Sequence, residues 1–142
     1  IPVVLNPAPA AAVPEDVIDK AAYITPNEHE AALIFGDGMS TEELLKQYPE
    51  KLIITQGSRG VSACLKTGEV IQVPARPARV VDTTGAGDTL NGALAEQLAH
   101  GKSLKEALIY ANTAASLSTE KLGAQSGMPS AEEVEKELKK EM

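Results

Sequence analysis

The sequence predicts an α/β protein in which a layered, parallel-type sheet is flanked by helices. Its 142 residues are enough for one domain with a real core. Short apolar runs alternate with amphipathic stretches in the first half, and the last third has the period of helices. We therefore expect residues 1–142 to form a single layered unit.

The predicted strands are short apolar runs bounded by turn residues. They lie at residues 3–5, 22–24, 51–55, 61–66 and 69–75. Helix-like segments separate the first three, which favours parallel pairing through crossovers. The last two flank Thr67 and Gly68, a spacing that suits a hairpin.

Helix starts are indicated by capping residues. Pro14 stands near the start of a short helix, and Thr25, Pro26 and Glu28 predict a second capped start with proline as the first helical residue. Gly36 and Gly38 end that helix. Capping-box spacing occurs at two further starts, Ser40 with Glu43 and Ser103 with Glu106. A helix with the leucine stripe Leu90, Leu94 and Leu98 precedes Ser103, and a final helix begins at about Ser130.

Charge and composition exclude several classes of function. The formal net charge is −7, whereas nucleic acids and anionic membranes attract basic surfaces, so we expect neither as a partner. No apolar run approaches the length of a membrane span. Cys64 is the only cysteine, which favours a cytoplasmic protein and a buried, unreactive thiol.

Two common nucleotide motifs fail on spacing. Gly101, Lys102 and Ser103 have the end of a P-loop, but Glu96 occupies the position of its opening glycine. A dinucleotide fingerprint starting at Gly85 needs a third glycine where Leu90 stands. Neither motif explains the glycines that precede the leucine-striped helix.

The stretch DTTGAGDTLNG, residues 82–92, has the makings of an anion site built from backbone amides. Small residues before a helix leave N–H groups unpaired at the positive end of its dipole, and Gly85 and Gly87 allow close approach. Asp88 in the first turn is ordinarily explained as dipole compensation. Beside a phosphate it can instead serve as a base that deprotonates an attacking hydroxyl.

The longer segment VDTTGAGDTLNGALA resembles the C-terminal signature of the ribokinase family, the PfkB-type carbohydrate kinases. Four other segments match the ribokinase branch in the same order, at residues 5–10, 24–31, 54–61 and 121–130. Five collinear matches make chance a poor explanation. The resemblance implies a ribokinase-like fold and transfer of the ATP γ-phosphate to the 5-hydroxyl of ribose.

The resemblance also implies roles for individual residues. Asp88 would be the catalytic base, and the backbone of Gly85, Ala86 and Gly87 would form the anion hole. Asn27 and Glu30 would organise Mg²⁺ and the nucleotide phosphates, with Glu30 acting on the metal indirectly. The remaining nucleotide contacts would be Thr55, Gly57, Ser58, Gly60 and Asn112. Asn112 could equally be a polar residue at the edge of the core.

A monovalent cation site, suited to K⁺, rests on the resemblance alone. Asp82 would supply a carboxylate. The other ligands would be mainly backbone carbonyls, from Thr84, Ser118, Lys121, Gly123 and Gly127.

The family's N-terminal half, with its sugar-binding segment and lid, has no counterpart in this chain. We expect the chain alone to be a weak kinase or an inactive one, because positioning and water exclusion would be lost. Exposed sheet edges predict a homodimer or association with the missing half. Two alternatives remain, namely a kinase of another sugar or a nucleoside and a non-catalytic nucleotide-binding module.

Overall fold

The computed structural model describes residues 1–8 and 11–140, and the chain forms two compact units, Ile1–Gln72 and Val73–Met142. Pro9 and Ala10, which end the motif at residues 5–10, lie outside the described residues. The first unit carries the sheet and three helices, and the second unit carries four helices among the described residues. The assignment of residues 1–142 to one domain stays a prediction.

The strands form a two-stranded and a three-stranded sheet, which isolated parallel bridges link. They are β1 (Val4–Leu5), β2 (Tyr23–Ile24), β3 (Ile53–Thr55), β4 (Val61–Cys64) and β5 (Val70–Val73). β1 pairs with β2 in parallel, and the parallel bridges Ile24–Leu52 and Asn27–Thr55 continue this direction to β3. β4 then runs antiparallel to β3, with β5 on its other side. The predicted α/β class is confirmed.

Seven helices lie in the described residues. They are α1 (Glu15–Lys20), α2 (Glu28–Phe35), α3 (Thr41–Gln47), α4 (Ala86–Ala99), α5 (Leu104–Ser118), α6 (Ala124–Gly127) and α7 (Ala131–Lys139). Among these residues no helix combines the length and the hydropathy that a bilayer crossing demands. Sequence patterns missed α6 and a 3₁₀ turn at Gly57–Arg59, because so few residues establish no hydrophobic period.

The predicted start of α2 is wrong by two residues. Thr25 and Pro26 are extended: the Thr25 amide donates to the Leu5 carbonyl, and the Pro26 carbonyl accepts from the Thr55 amide. Asn27 is the N-cap, since its side-chain oxygen accepts from the Glu30 amide at 2.7 Å. The Glu30 carboxylate accepts from the Asn27 amide at 2.9 Å and completes a capping box. At Thr25 and Pro26 the backbone therefore pairs with neighbouring strands and does not form the predicted first turn of the helix.

The other predicted caps are present, with one difference. The Ser40 and Ser103 hydroxyl oxygens accept from the amides three residues later. Their glutamate partners, however, accept from the serine hydroxyls and not from the serine amides. The reciprocal box forms instead at Ser130, the N-cap of α7. α7 packs against α5, with Val134 buried.

Each unit has its own apolar core. In the first unit α2 and α3 cover the sheet, and Cys64 is buried there at 1% exposure, as predicted. In the second unit α4 packs along α5. Its buried side chains include Leu90, Leu94, Leu104, Leu108 and Ala111. Aliphatic residues and alanine therefore fill both cores.

Gly127 fixes how α6 lies against the end of α5. A Cβ atom at this position would stand 2.7 Å from the Ser118 carbonyl oxygen, closer than a carbon and an oxygen can approach. Gly92 in α4 offers the opposite situation, with no atom within 4 Å of the corresponding position. The two glycines form a matched pair.

We expect Gly127→Ala to lower the free energy of unfolding by about 1–3 kcal/mol, because the added methyl group forces α6 away from α5. Gly92→Ala should raise it by about 0.5–1 kcal/mol, since alanine restricts the unfolded chain and fits an open helix interior. Urea denaturation of both variants measures the difference. Equal effects of the two substitutions would contradict the packing of α6 on Ser118.

Candidate functional site

Asp82 ties together the loop before α4 and the loop before α6. One carboxylate oxygen accepts from the Thr84 amide at 2.9 Å and from the Thr84 hydroxyl at 2.6 Å. The other oxygen accepts from the Gly123 amide at 2.9 Å. The Asp82 amide donates to the Thr119 carbonyl, which anchors the same loop to the end of α5. These bonds set the position from which α4 begins.

α4 starts without a side-chain cap. Its N-cap is Gly85, in the left-handed region at φ 81°, and a Cβ atom there would meet Ala124 at 2.9 Å. The Ala86 amide donates to the Thr83 carbonyl. Within the described residues the Gly87 and Asp88 amides make no backbone hydrogen bond. The predicted anion hole therefore has donors available, and Asp88 beside them is exposed.

The residues assigned to a monovalent cation lie in one region of the second unit. The Ser118 and Lys121 carbonyl oxygens converge on Gly127, at 2.7 Å and 3.5 Å from where a Cβ atom would stand. Asp82 and Thr84 bond to each other, and Asp82 also bonds to Gly123. Oxygen donors held by loops fit a large, weakly hydrated cation. Asp82 accepts three hydrogen bonds, two at one oxygen and one at the other, which leaves an acceptor position on the second oxygen for an ion.

Asn112 is 5% exposed, and its side-chain amide donates to the Pro74 carbonyl at 2.8 Å. One turn later, the Ser116 hydroxyl oxygen accepts from the Arg76 amide. These two bonds hold the segment after β5 against α5. Asn112 thus has a structural partner in this conformation, and its contact with a nucleotide stays a prediction.

In the first unit the predicted nucleotide residues meet where β3 ends and α2 begins. The parallel bridge between Asn27 and Thr55 places the two segments side by side. Glu30 is only 7% exposed, and its carboxylate lies beside the Asn27 amide. The structure therefore brings Asn27, Glu30 and Thr55 together, which their distance in sequence does not require.

The loop after β3 is held by Gln56. Its amide donates to the Gly60 carbonyl at 2.8 Å, closing the turn that contains Gly57 and Ser58. The Gln56 side-chain oxygen accepts from the Ser62 hydroxyl at 2.6 Å and from the Gln72 amide group at 3.0 Å. Gly60, at φ 92°, ends the turn. A well-anchored loop with exposed Gly57 and Ser58 results.

Two features of the structure were missed by sequence reasoning. Arg59, in the same loop, forms an ion pair with Glu28 at the start of α2. In the second unit a pocket of about 270 Å³ contains none of the residues predicted for the site. Its lining includes Arg76, Ser116, Glu120, Glu137 and Lys140. The sequence does not indicate which distant residue pairs with a charged side chain in a turn. It also does not indicate which separate segments line a pocket, so no motif predicts either feature.

Clusters of three or more histidine, cysteine, aspartate or glutamate side chains placed to hold a metal do not occur in the described residues.

The pKa of Asp82 lies below its ordinary value, because the Thr84 hydroxyl and the Gly123 and Thr84 amides donate to the charged form. A carboxyl with a lowered folded-state pKa stabilises the protein above its unfolded pKa. That contribution disappears as the pH falls through the folded value. In Asp82→Asn, the free energy of unfolding should therefore fall less steeply than in the wild type as the pH drops below about 4.

Urea unfolding of the wild type and Asp82→Asn at several pH values measures this slope. Asp37→Asn, at an exposed position, controls for the change in net charge. Parallel acid curves for the wild type and Asp82→Asn would show that the carboxylate bonds do not link folding to protonation.

Comparison with known proteins identifies relatives of the whole chain. The model of the pfkB family carbohydrate kinases matches residues 1–131. The ribokinase of Bacillus subtilis is 51% identical over 138 residues, which cover 97% of this chain and 46% of that protein. The chain thus spans about half the length of the curated relatives it matches.

Solved structures share the fold. A ribokinase from Thermotoga maritima has a TM-score of 0.86 at 38% identity, over 97% of this chain and 49% of its own. An Arabidopsis thaliana ribokinase, solved with ribose and ATP, has a TM-score of 0.87 at 33% identity, over 98% and 48%. Together with the family match, these similarities establish that the chain belongs to the pfkB family of carbohydrate kinases.

Proposed function

We propose that this chain supplies the nucleotide-binding and catalytic portion of a kinase that transfers the γ-phosphate of ATP to the 5-hydroxyl of ribose. The observation that carries the proposal is the start of α4. There an uncapped helix end, opened by Gly85, stands next to the exposed carboxylate of Asp88. Membership of the family and the ribose- and ATP-bound Arabidopsis relative support the choice of substrates.

Asp88 would act as the general base. Its carboxylate takes the proton of the 5-hydroxyl as the oxygen forms a bond to the γ-phosphorus, and the bond to the β,γ-bridging oxygen breaks to release ADP. An acid beside an anion site repels phosphate, so its presence at this position is explained if it removes the proton from the acceptor hydroxyl. The geometry supports this role because Asp88 is exposed in the first turn of α4.

The amides at the start of α4 would hold the transferring phosphoryl group. Gly85 and Gly87 keep side chains away from the approach, and the helix dipole favours negative charge. Neutral, fixed donors need no reorganisation when charge moves to the phosphoryl oxygens. Asp82 would act indirectly, by fixing the loop that ends at Gly85.

Nucleotide binding would use the first unit. Thr55, Gly57, Ser58 and Gly60 belong to an anchored turn in which Gly57 and Ser58 are exposed, while Asn27 and Glu30 stand beside it. Mg²⁺ would neutralise charge on the phosphates when bound, and Glu30 would orient its water ligands. K⁺ would compensate charge near Asp82, with carbonyls of Ser118 and Lys121 among its ligands.

A second candidate is a nucleotide-binding portion without activity of its own. It is favoured by one observation, namely that the predicted nucleotide residues Asn27, Glu30 and Thr55 lie together in the first unit, which does not contain Asp88. This candidate predicts nucleotide binding without turnover. It also predicts that substitution of Thr55 or Gly57 weakens ADP binding whether or not a sugar is present.

The kinase proposal predicts that Asp88→Asn lowers the turnover number by about 10²–10⁴-fold, since proton removal by a base is lost. The KM for ATP should change little, because Asp88 contacts the acceptor hydroxyl. Ribose phosphorylation is measured for the chain alone and for a chimaera in which the N-terminal portion of the Bacillus subtilis relative precedes it. Asp37→Asn provides the control for charge.

We expect the chimaera to phosphorylate ribose and the isolated chain to do so weakly or not at all. Other sugars and nucleosides tested in the same assay determine the acceptor. Turnover that survives Asp88→Asn would overturn the assignment of the base. A folded chimaera that binds ADP without turnover would favour the second candidate.

A further inference from the structure

We propose that Arg59 binds the phosphates of the nucleotide and that Glu28 holds its guanidinium in place until the nucleotide arrives. The inference rests on the proposed function, because it assumes a nucleotide beside the turn at Gly57–Gly60. It adds a phosphate-binding residue and a competing carboxylate to that site. Both residues belong to the first unit.

The ion pair joins two segments that lie far apart in sequence. Arg59 ends the 3₁₀ turn after β3, and Glu28 is the first residue of α2. An Nη2 nitrogen of Arg59 donates to the Oε1 oxygen of Glu28. The two side chains are 61% and 41% exposed. The guanidinium is thus fixed at the start of α2 and remains accessible to a ligand.

The surroundings of the pair are those of the proposed phosphate site. The bridge between Asn27 and Thr55 places the start of α2 next to the end of β3, from which the turn leads to Arg59. Glu28 directly follows Asn27 in the chain. A nucleotide whose phosphates reach Asn27 and Thr55 therefore comes within the range of a long arginine side chain.

Charge makes this arginine distinctive. It is the only arginine in residues 1–72, where acidic residues outnumber basic ones. Lys46 in the same region pairs with Glu42, and Lys51 donates to the Asp19 carbonyl. Lys20 ends α1 and Lys66 lies in the turn after β4, so Arg59 is the cation of the first unit that belongs to the turn at Gly57–Gly60. A polyphosphate bound beside that turn gains a cationic partner in Arg59.

Replacement of the Glu28 carboxylate by a nucleotide phosphate as the partner of Arg59 is favourable on physical grounds. An exposed ion pair contributes little, since water and salt screen it. A guanidinium binds phosphate oxygens through parallel, charge-assisted hydrogen bonds, and a polyphosphate carries more charge than one carboxylate. Glu28 therefore gives up Arg59 readily. It also repels the phosphates, so it competes with the nucleotide as well as positioning the arginine.

The proposal predicts that substitutions at Arg59 and at Glu28 change the affinity for ATP in opposite directions. Arg59→Gln should weaken ATP binding by about tenfold, the loss of one charge-assisted contact. Arg59→Lys should bind ATP more tightly than Arg59→Gln and less tightly than the wild type. Lysine keeps the positive charge but lacks the planar guanidinium that binds two phosphate oxygens. Glu28→Gln should strengthen ATP binding by about two- to fivefold, through removal of the competitor. Adenosine, which lacks phosphates, should bind all of them equally.

The experiment is isothermal titration of this chain with ATP in the presence of Mg²⁺, with ADP and with adenosine. Lys46→Gln and Glu42→Gln are the matched controls, because they break an exposed ion pair of the same unit away from the site. Circular dichroism checks that each variant is folded. The controls should leave the ratio of ATP to adenosine affinity unchanged.

The outcomes separate this inference from the proposed function. Opposite changes in the ATP to adenosine ratio for Arg59→Gln and Glu28→Gln support the exchange. Equal losses for ATP and adenosine in both variants, or an unchanged ratio, would show that the pair is only a structural link and would overturn the inference. Failure of the folded wild-type chain to bind ATP and ADP would overturn the nucleotide site itself.

Discussion

The close approach of two loops in the second unit is the constraint on which its functional geometry depends. The loop before α4 and the segment from α5 to α6 meet at two points, where the Asp82 carboxylate accepts from the Gly123 amide and Gly85 lies against Ala124. Contacts this short exclude side chains at Gly85 and Gly127. The direction of the first turn of α4, and with it the position of Asp88, follows from this packing.

The starts of α2 and α4, one in each unit, are built in different ways. α2 begins with a capping box, in which the Asn27 side chain accepts from the Glu30 amide and the Glu30 carboxylate accepts from the Asn27 amide. α4 begins at a glycine that has no side chain to offer as a cap. Within the described part of the chain, the Gly87 and Asp88 amides at the start of α4 and the Glu28 and His29 amides at the start of α2 make no backbone hydrogen bond, so both helix starts can offer donors to an anion.

Much of this arrangement could be predicted from the sequence, because its signals are local. The strand at residues 51–55, the caps at Ser40 and Ser103 and the leucine stripe of α4 all depend on neighbours within a few residues. The start of α2 could not be predicted correctly from the sequence. The Pro26 carbonyl accepts from the Thr55 amide, and this long-range bond keeps Pro26 extended although proline is common as the first residue of a helix. The ion pair of Arg59 and Glu28 and the hydrogen bond from the Gly123 amide to Asp82 likewise depend on contacts between distant segments.

The charge of the chain restricts how it can bind a phosphate. A protein of net charge −7 has no general attraction for anions, so long-range steering does not speed their association. Neutral amides, an arginine shared with a carboxylate and a metal ion act only at short distance. Affinity then depends on the placement of a few donors and little on the total charge. For this reason glycines that permit close packing matter more to such a site than lysines on its surface would.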